Sequence, residues 1–159
     1  MISSYAPSLL NFRKELIQMF ITKGYKVVLL APDFDSKSIK LINELGATTK
    51  DIKLKRSGTN LIQEVKSFIS IYYAIKSESP DIVFSYTIKP VIYGSIAAYF
   101  AKVPKICSLI TGLGHSFLSN SLKGKMLNIL ARLLYSLSLS RNYAVLFQNK
   151  DDCKLFVDL

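Results

Sequence analysis

The sequence predicts an α/β fold: a parallel sheet of about six strands with helices on both faces. Three observations predict it. Short apolar runs alternate with longer helical patterns along the whole chain. Several of those runs are nearly continuous in apolar character, as in strands covered on both faces. The connections are short, so successive strands return to the same sheet by right-handed crossovers.

The elements follow in order. Tyr25–Ala31 (YKVVLLA), Ala47–Leu54, Asp81–Tyr86 (DIVFSY), Lys105–Thr111 (KICSLIT) and Tyr143–Gln148 (YAVLFQ) read as strands. They are short, rich in β-branched or aromatic residues and bounded by Gly, Pro, Asp or Asn. Helices lie between them. Ser8–Lys23 and Ser36–Leu45 end at Gly24 and Gly46, which suit the left-handed residue after a helix. Leu61–Ser77 follows Asn60, a cap residue, and stops before Pro80. Pro90 opens a helix running to Lys102, Leu122–Ser140 is a long helix, and Lys150–Val157 starts another. A first strand belongs ahead of the Ser8 helix, but only Met1 to Ser4 remain for it. The expected organisation is one domain, residues 1–159, cut at both ends: its first strand is truncated and the chain stops inside or just after a helix.

Composition narrows the class. Half of the 159 residues are apolar, which fits one globular domain and excludes a disordered chain. Cys107 and Cys153 lie far apart without metal spacing and read as reduced thiols of a cytoplasmic protein. No signal peptide is visible, and no run reaches the roughly 18 apolar residues of a membrane span. The net charge is +10, unevenly spread: residues 82–150 hold 8 basic side chains and no acid. Such a region suits an anionic partner, unless it is simply a solvated basic surface.

Ligands on parallel sheets bind at the carboxyl ends of the strands, so the loops there hold the candidates. Thr87-Ile88-Lys89-Pro90 follows a strand and opens a helix, where free N–H groups and Lys89 together suit a phosphate; a plain capping turn with an exposed lysine fits equally well. Thr111-Gly112-Leu113-Gly114-His115 follows another strand, and its glycines let a ligand approach the backbone closely. It lacks the third glycine of the dinucleotide fingerprint, and a tight turn is the plainer explanation. His115, the single histidine, is a weak candidate for a general base. Asn11-Phe12-Arg13 lies in the first turns of the first helix, where Arg13 could reach an anion near the strand ends, or lie on the surface with Phe12 in the core. Arg56-Ser57-Gly58-Thr59-Asn60 is a second polar loop at the same edge.

On Leu122–Ser140 the apolar side chains cover about 200° of the helix, more than the roughly 100° one core needs. Lys125 and Arg132 share the narrow polar side, with Lys123 close by. The surplus apolar surface suits a membrane, a second domain or a partner, unless neighbouring elements cover it. A Walker loop, a His/Cys metal cluster and a Ser-His-Asp set are all missing from the sequence.

These loops resemble the N-terminal domain of family 4 glycosyltransferases, of the GT-B fold, in the bacterial branch that builds polysaccharide and glycan precursors on polyprenyl diphosphate. The stretches that carry the resemblance are Leu10-Asn11-Phe12-Arg13, Gly24-Tyr25-Lys26-Val27 leading to Ala31-Pro32-Asp33, Arg56-Ser57-Gly58-Thr59-Asn60, Thr87-Ile88-Lys89-Pro90-Val91-Ile92-Tyr93-Gly94, Thr111-Gly112-Leu113-Gly114 and Phe147-Gln148-Asn149-Lys150-Asp151-Asp152. They occur in the family's order over nearly the whole chain.

The resemblance implies a Rossmann-like half of a two-domain enzyme that transfers a sugar from a nucleotide-sugar donor with retention and without metal. This half would hold a lipid-linked glycan acceptor and lie peripherally on the cytoplasmic face of the cell membrane. Asn11, Arg13, Thr87, Lys89, Gly112 and Gly114 would line the cleft, and Lys123, Lys125 and Arg132 would face anionic lipid. The donor site and the paired-glutamate motif would lie in the absent C-terminal domain, so the chain alone is expected to be inactive. Position 115 departs from the family's pattern, which favours an aromatic residue there. The same residues also fit a non-catalytic membrane-recruiting subunit of a split glycosyltransferase, or a Rossmann-like nucleotide-binding module. Against the last, Ser4-Tyr5-Ala6-Pro7-Ser8 contains no glycine. Nucleic acid is not an expected partner, for want of a basic-aromatic face.

Overall fold

Strands and helices alternate throughout the computed structural model, which describes residues 1–56, 60–112 and 122–157, without the side chains of 122–128 and 155–157. The order is α1 (Pro7–Thr22), β1 (Val28–Ala31), α2 (Ser36–Glu44), β2 (Thr48–Asp51), α3 (Leu61–Glu78), β3 (Ile82–Tyr86), α4 (Ile88–Phe100), β4 (Lys105–Ile110), α5 (Leu122–Leu139), β5 (Ala144–Phe147) and α6 (Lys150–Val157).

All strand pairs are parallel: β1 with β2, and β3–β4–β5 in a second ladder. Ile2 joins the two ladders by bridging Leu30 on one side and Ser85 on the other. The spatial order is therefore β2-β1-Ile2-β3-β4-β5. Among the described residues the expected six strands are corrected to five, in sheets of two and three. The N-terminal segment takes the sixth, central place as an isolated bridge at Ile2.

Alternation of side chains builds a core on each face. On one face Ile2, Leu30, Val83 and Ile106 meet Ile71, Ala74 and Ile75 of α3 and Ala97 and Ala98 of α4. On the other, Leu29, Ala31, Phe84 and Tyr86 meet Leu9 and Ile17 of α1 and Ile42 of α2. Helix α5 closes the first face beside α4, with Tyr135 against Val91, Ile92 and Ile110. Each such burial contributes on the order of 1.5–3 kcal/mol for a large apolar side chain.

The caps act as their chemistry dictates. Asn60 Oδ1 accepts from the N–H groups of Ile62 and Gln63 at 3.1 and 3.3 Å. Gly24 and Gly46 take φ of +84° and +90°, the left-handed conformation that ends α1 and α2. Helix α4 begins at Ile88 rather than at Pro90, so the proline sits inside the first turn, where its missing N–H has no partner to lose.

Candidate functional site

The site sits where the chain changes direction across the sheet. From Ile2 the chain leaves through α1 towards β1, whereas β3 on the other side of Ile2 leaves through α4 towards β4. Two neighbouring strand ends thus diverge and leave a crevice between them, the usual ligand position in open α/β sheets.

Hydroxyls line its floor. Ser4 Oγ and Thr87 Oγ1 meet across the crevice at 3.0 Å. Ser8 Oγ is 2.9 Å from Ser3 Oγ and 2.8 Å from the Tyr86 hydroxyl. Tyr86 is buried, and burial pushes its phenol pKa up against the opposing pull of the Ser3 and Ser8 hydrogen bonds and of Arg13. Thr87 has φ of +69°, an unfavourable conformation for a β-branched residue, and gives α4 no side-chain cap. Strain of this kind at a strand end is characteristic of binding sites.

Cations stand around the floor. The Arg13 guanidinium lies 5.0 Å over the Tyr86 ring, and its Nη1 donates to Phe12 O at 2.8 Å. Its Nε is buried without a hydrogen-bond partner. Arg13 is half-buried while Phe12 is exposed, which reverses the alternative of a surface arginine beside a core phenylalanine. Asn11 is exposed on α1. Arg56 lies 5.3 Å over the Tyr5 ring, beside a cleft of about 330 Å³ walled by Ser4, Pro7, Pro32, Asp33 and Lys55.

Lys89 is not the exposed lysine of a bare capping turn. Its Nζ is 2.6 Å from Glu64 Oε1, and the Tyr93 hydroxyl donates to Glu64 Oε2 at 2.7 Å. Both charged side chains are largely covered, at 17% and 16% exposure. Burial, and secondarily the bond to Glu64, push the Tyr93 pKa well above the usual phenol range. Glu64 was invisible in the sequence as a site residue. Its one signal was the position N4 of a helix that opens on the ligand side of the sheet, after the Asn60 cap.

Gly112 takes φ of +131°, open only to glycine, at the end of β4. Gly114 and His115 lie outside the described residues, as do the side chains of Lys123 and Lys125. Arg132 is exposed on α5. The structure thus sets Thr87 against Ser4, Arg13 over the Tyr86 ring and Lys89 against Glu64, with Gly112 after the next strand and Asn11 on the outer side of α1.

Comparison with known proteins agrees with this architecture. Residues 8–149 match the family model described as "Glycosyl transferase 4-like", and the chain belongs to that family. It is similar to an N,N'-diacetylbacillosaminyl-diphospho-undecaprenol alpha-1,3-N-acetylgalactosaminyltransferase of Campylobacter jejuni, with 24% identity over 99% of this chain and 42% of that protein. It is also similar to a UDP-Gal:alpha-D-GlcNAc-diphosphoundecaprenol alpha-1,3-galactosyltransferase of Escherichia coli, with 36% identity over 47% of this chain and 18% of that one. The chain therefore spans less than half the length of either relative. Among solved structures, a UDP-N-acetylglucosamine 2-epimerase from Listeria monocytogenes, itself described as putative, superposes with a TM-score of 0.65 at 13% identity, over 99% of this chain and 40% of that one. That likeness supports the Rossmann-like half-fold and nothing about activity.

Proposed function

We propose that this chain is the acceptor-side, N-terminal domain of a retaining, metal-independent glycosyltransferase that moves a sugar from a nucleotide-sugar donor to a lipid-linked glycan. The observation that carries the proposal is the crevice at the divergence of Ile2 and β3. It combines hydroxyls (Ser4, Thr87), a strained backbone turn and the N-terminus of α4 with Lys89. These are the groups that hold a diphosphate: donors, a helix dipole and a cation. Both relatives carry undecaprenol diphosphate acceptors in their names, which supports the same acceptor class here. The donor site and the groups that stabilise the departing nucleotide belong to a second domain, so this chain alone turns nothing over.

The test is a calorimetric titration of the chain with a short isoprenyl diphosphate, alongside an assay with nucleotide sugars. Binding that Lys89→Ala and Arg13→Ala weaken tenfold or more, without turnover, is the expected result. Equal binding by all variants, or transfer by the chain alone, overturns the proposal.

Surface chemistry favours a second reading, a membrane-recruiting subunit that works with a separate catalytic one at the inner face of the cell membrane. Ile129, Leu130, Leu133 and Leu137 are exposed along α5 beside Arg132. Among the described residues no helix is long and apolar enough to cross a membrane, so such a face would lie on a bilayer rather than in it.

A further inference from the structure

A second cleft lies beside the crevice, on its β1 side. Three neighbouring strand ends build it: Ser4 and Tyr5 follow Ile2, Pro32 and Asp33 follow β1, and Lys55 and Arg56 lie beyond β2. Its volume of about 330 Å³ falls within the range of small-ligand sites, roughly 300–1,000 Å³. Asp33 turns out of β1 with φ of +56°, a left-handed conformation that Asp adopts more readily than most residues.

The lining decides what the cleft can hold. It carries one carboxylate, Asp33, and two cations, Lys55 and Arg56, all three exposed. Among the described residues none of the three enters an ion pair. A phosphate would be drawn by the cations and repelled by the carboxylate. A neutral polyol suits both signs, because its hydroxyls donate to a carboxylate and accept from an ammonium or a guanidinium. Tyr5 adds an apolar face: it stays 47% exposed although the Arg56 guanidinium lies 5.3 Å over its ring. Pro32 contributes further carbon surface. A pyranose ring has this two-sided chemistry, with C–H groups on its faces and hydroxyls round its rim.

Ser4 joins the two sites. It lines the cleft, and its Oγ meets Thr87 Oγ1 at 3.0 Å in the crevice. A sugar in the cleft and a diphosphate in the crevice would therefore share one wall.

We propose that the cleft between Tyr5, Asp33 and Arg56 holds a neutral pyranose, the sugar attached to the diphosphate of the acceptor. Asp33 accepts from its hydroxyls, Lys55 and Arg56 donate to them, and Tyr5 covers a C–H face. The proposal rests on the acceptor-side reading above and gives the acceptor a direction: its diphosphate lies towards α4 and its sugar towards β2.

The test titrates the chain by calorimetry with a short isoprenyl diphosphate, bare or carrying glucose, galactose, N-acetylglucosamine or N-acetylgalactosamine. At least one sugar should tighten binding about tenfold over the bare diphosphate, as one or two hydrogen bonds to charged groups would. Tyr5→Ala and Asp33→Ala should bring the bare and sugar-bearing ligands to equal affinity; both side chains are exposed, so the core is untouched. Lys89→Ala should weaken all the ligands alike. Amide chemical shifts with the same four free sugars and with pyrophosphate give a second reading. If the bare diphosphate fails to bind but a free sugar moves the Tyr5 and Asp33 amides, the diphosphate crevice falls and the sugar cleft stands. If the bare diphosphate binds and no sugar tightens it, or the gain survives both substitutions, the cleft proposal is overturned and the acceptor-side reading stands. Pyrophosphate moving the Asp33 and Arg56 amides where no sugar does would make the cleft an anion site and overturn it equally.

Discussion

Lys89 shows what one side chain can do at a helix start. It sits at the positive end of α4, where an anion is favoured, yet the anion it meets is the protein's own Glu64. The carboxylate bridges Lys89 and Tyr93, so it sets the position of both. A substrate phosphate reaching Lys89 must share or displace that carboxylate. Replacing Glu64 with Gln keeps the shape and removes the charge. The largely covered ammonium then loses its carboxylate, and stability should fall by about 1–2 kcal/mol, less than for a fully buried pair. Affinity for pyrophosphate should rise several-fold over the wild-type chain, because the competing anion is gone. A titration in which Glu64→Gln binds pyrophosphate no better than the parent chain would show that Lys89 does not serve an anion.

At the scale of elements, the seating of α4 on β3 depends on Gly94. A β-carbon at that position would stand 2.5 Å from Ser85 Oγ and 3.1 Å from Ile2 Cδ1, inside contact distance. Alanine is the better helix former by up to about 1 kcal/mol, but overpacking of this kind costs about 1–3 kcal/mol. Gly94→Ala should therefore be destabilising. Ser85→Ala in the same chain should restore most of the loss, since it removes the crowding oxygen, which is buried without a partner. Denaturant midpoints of the two single variants and the double variant check this; additive effects would refute the contact.

Elements were also where the sequence was most readable. Apolar runs located every strand, though with ends too long: Ala47–Leu54 shrank to Thr48–Asp51 because pairing, not hydropathy, ends a ladder. Ile52 and Leu54 stay buried past its end, which explains why the apolar pattern overran. The first strand was expected ahead of α1 from Met1 to Ser4, and Ile2 occupies that place as a bridge between Leu30 and Ser85. The position of Thr87 and Lys89 at a strand-to-helix junction was legible from the apolar pattern and Pro90. Glu64 was not, since it lies 25 residues from Lys89 and only the packing of α3 on α4 unites them.

Net charge +10 would mean little if it were evenly diluted by acids, but the acids of α3 are both tied up. Glu64 is held by Lys89 and Glu78 by Lys50, whose bond holds the Glu78 carboxyl below the usual range. The outward face of α3 then shows Leu61, Ile62, Val65, Ile69 and Tyr73 with Lys66 and Lys76. Helix α5 repeats the pattern with Ile129, Leu130, Leu133 and Leu137 beside Arg132. Both flank α4 on one side of the sheet. Apolar side chains beside cations suit a bilayer of anionic lipid, where each Lys or Arg near the surface contributes about 1 kcal/mol. The chain should float with vesicles containing phosphatidylglycerol and stay behind with pure phosphatidylcholine. Raising the salt to about 0.5 M should release most of it, because the screening length shrinks to a few ångströms. Leu133→Ser with Leu137→Ser should weaken flotation at every salt concentration, whereas Lys66→Glu with Lys76→Glu should act mainly at low salt. Flotation with both vesicle types alike would mean that the apolar faces act alone. No flotation with either would assign those faces to another protein surface instead.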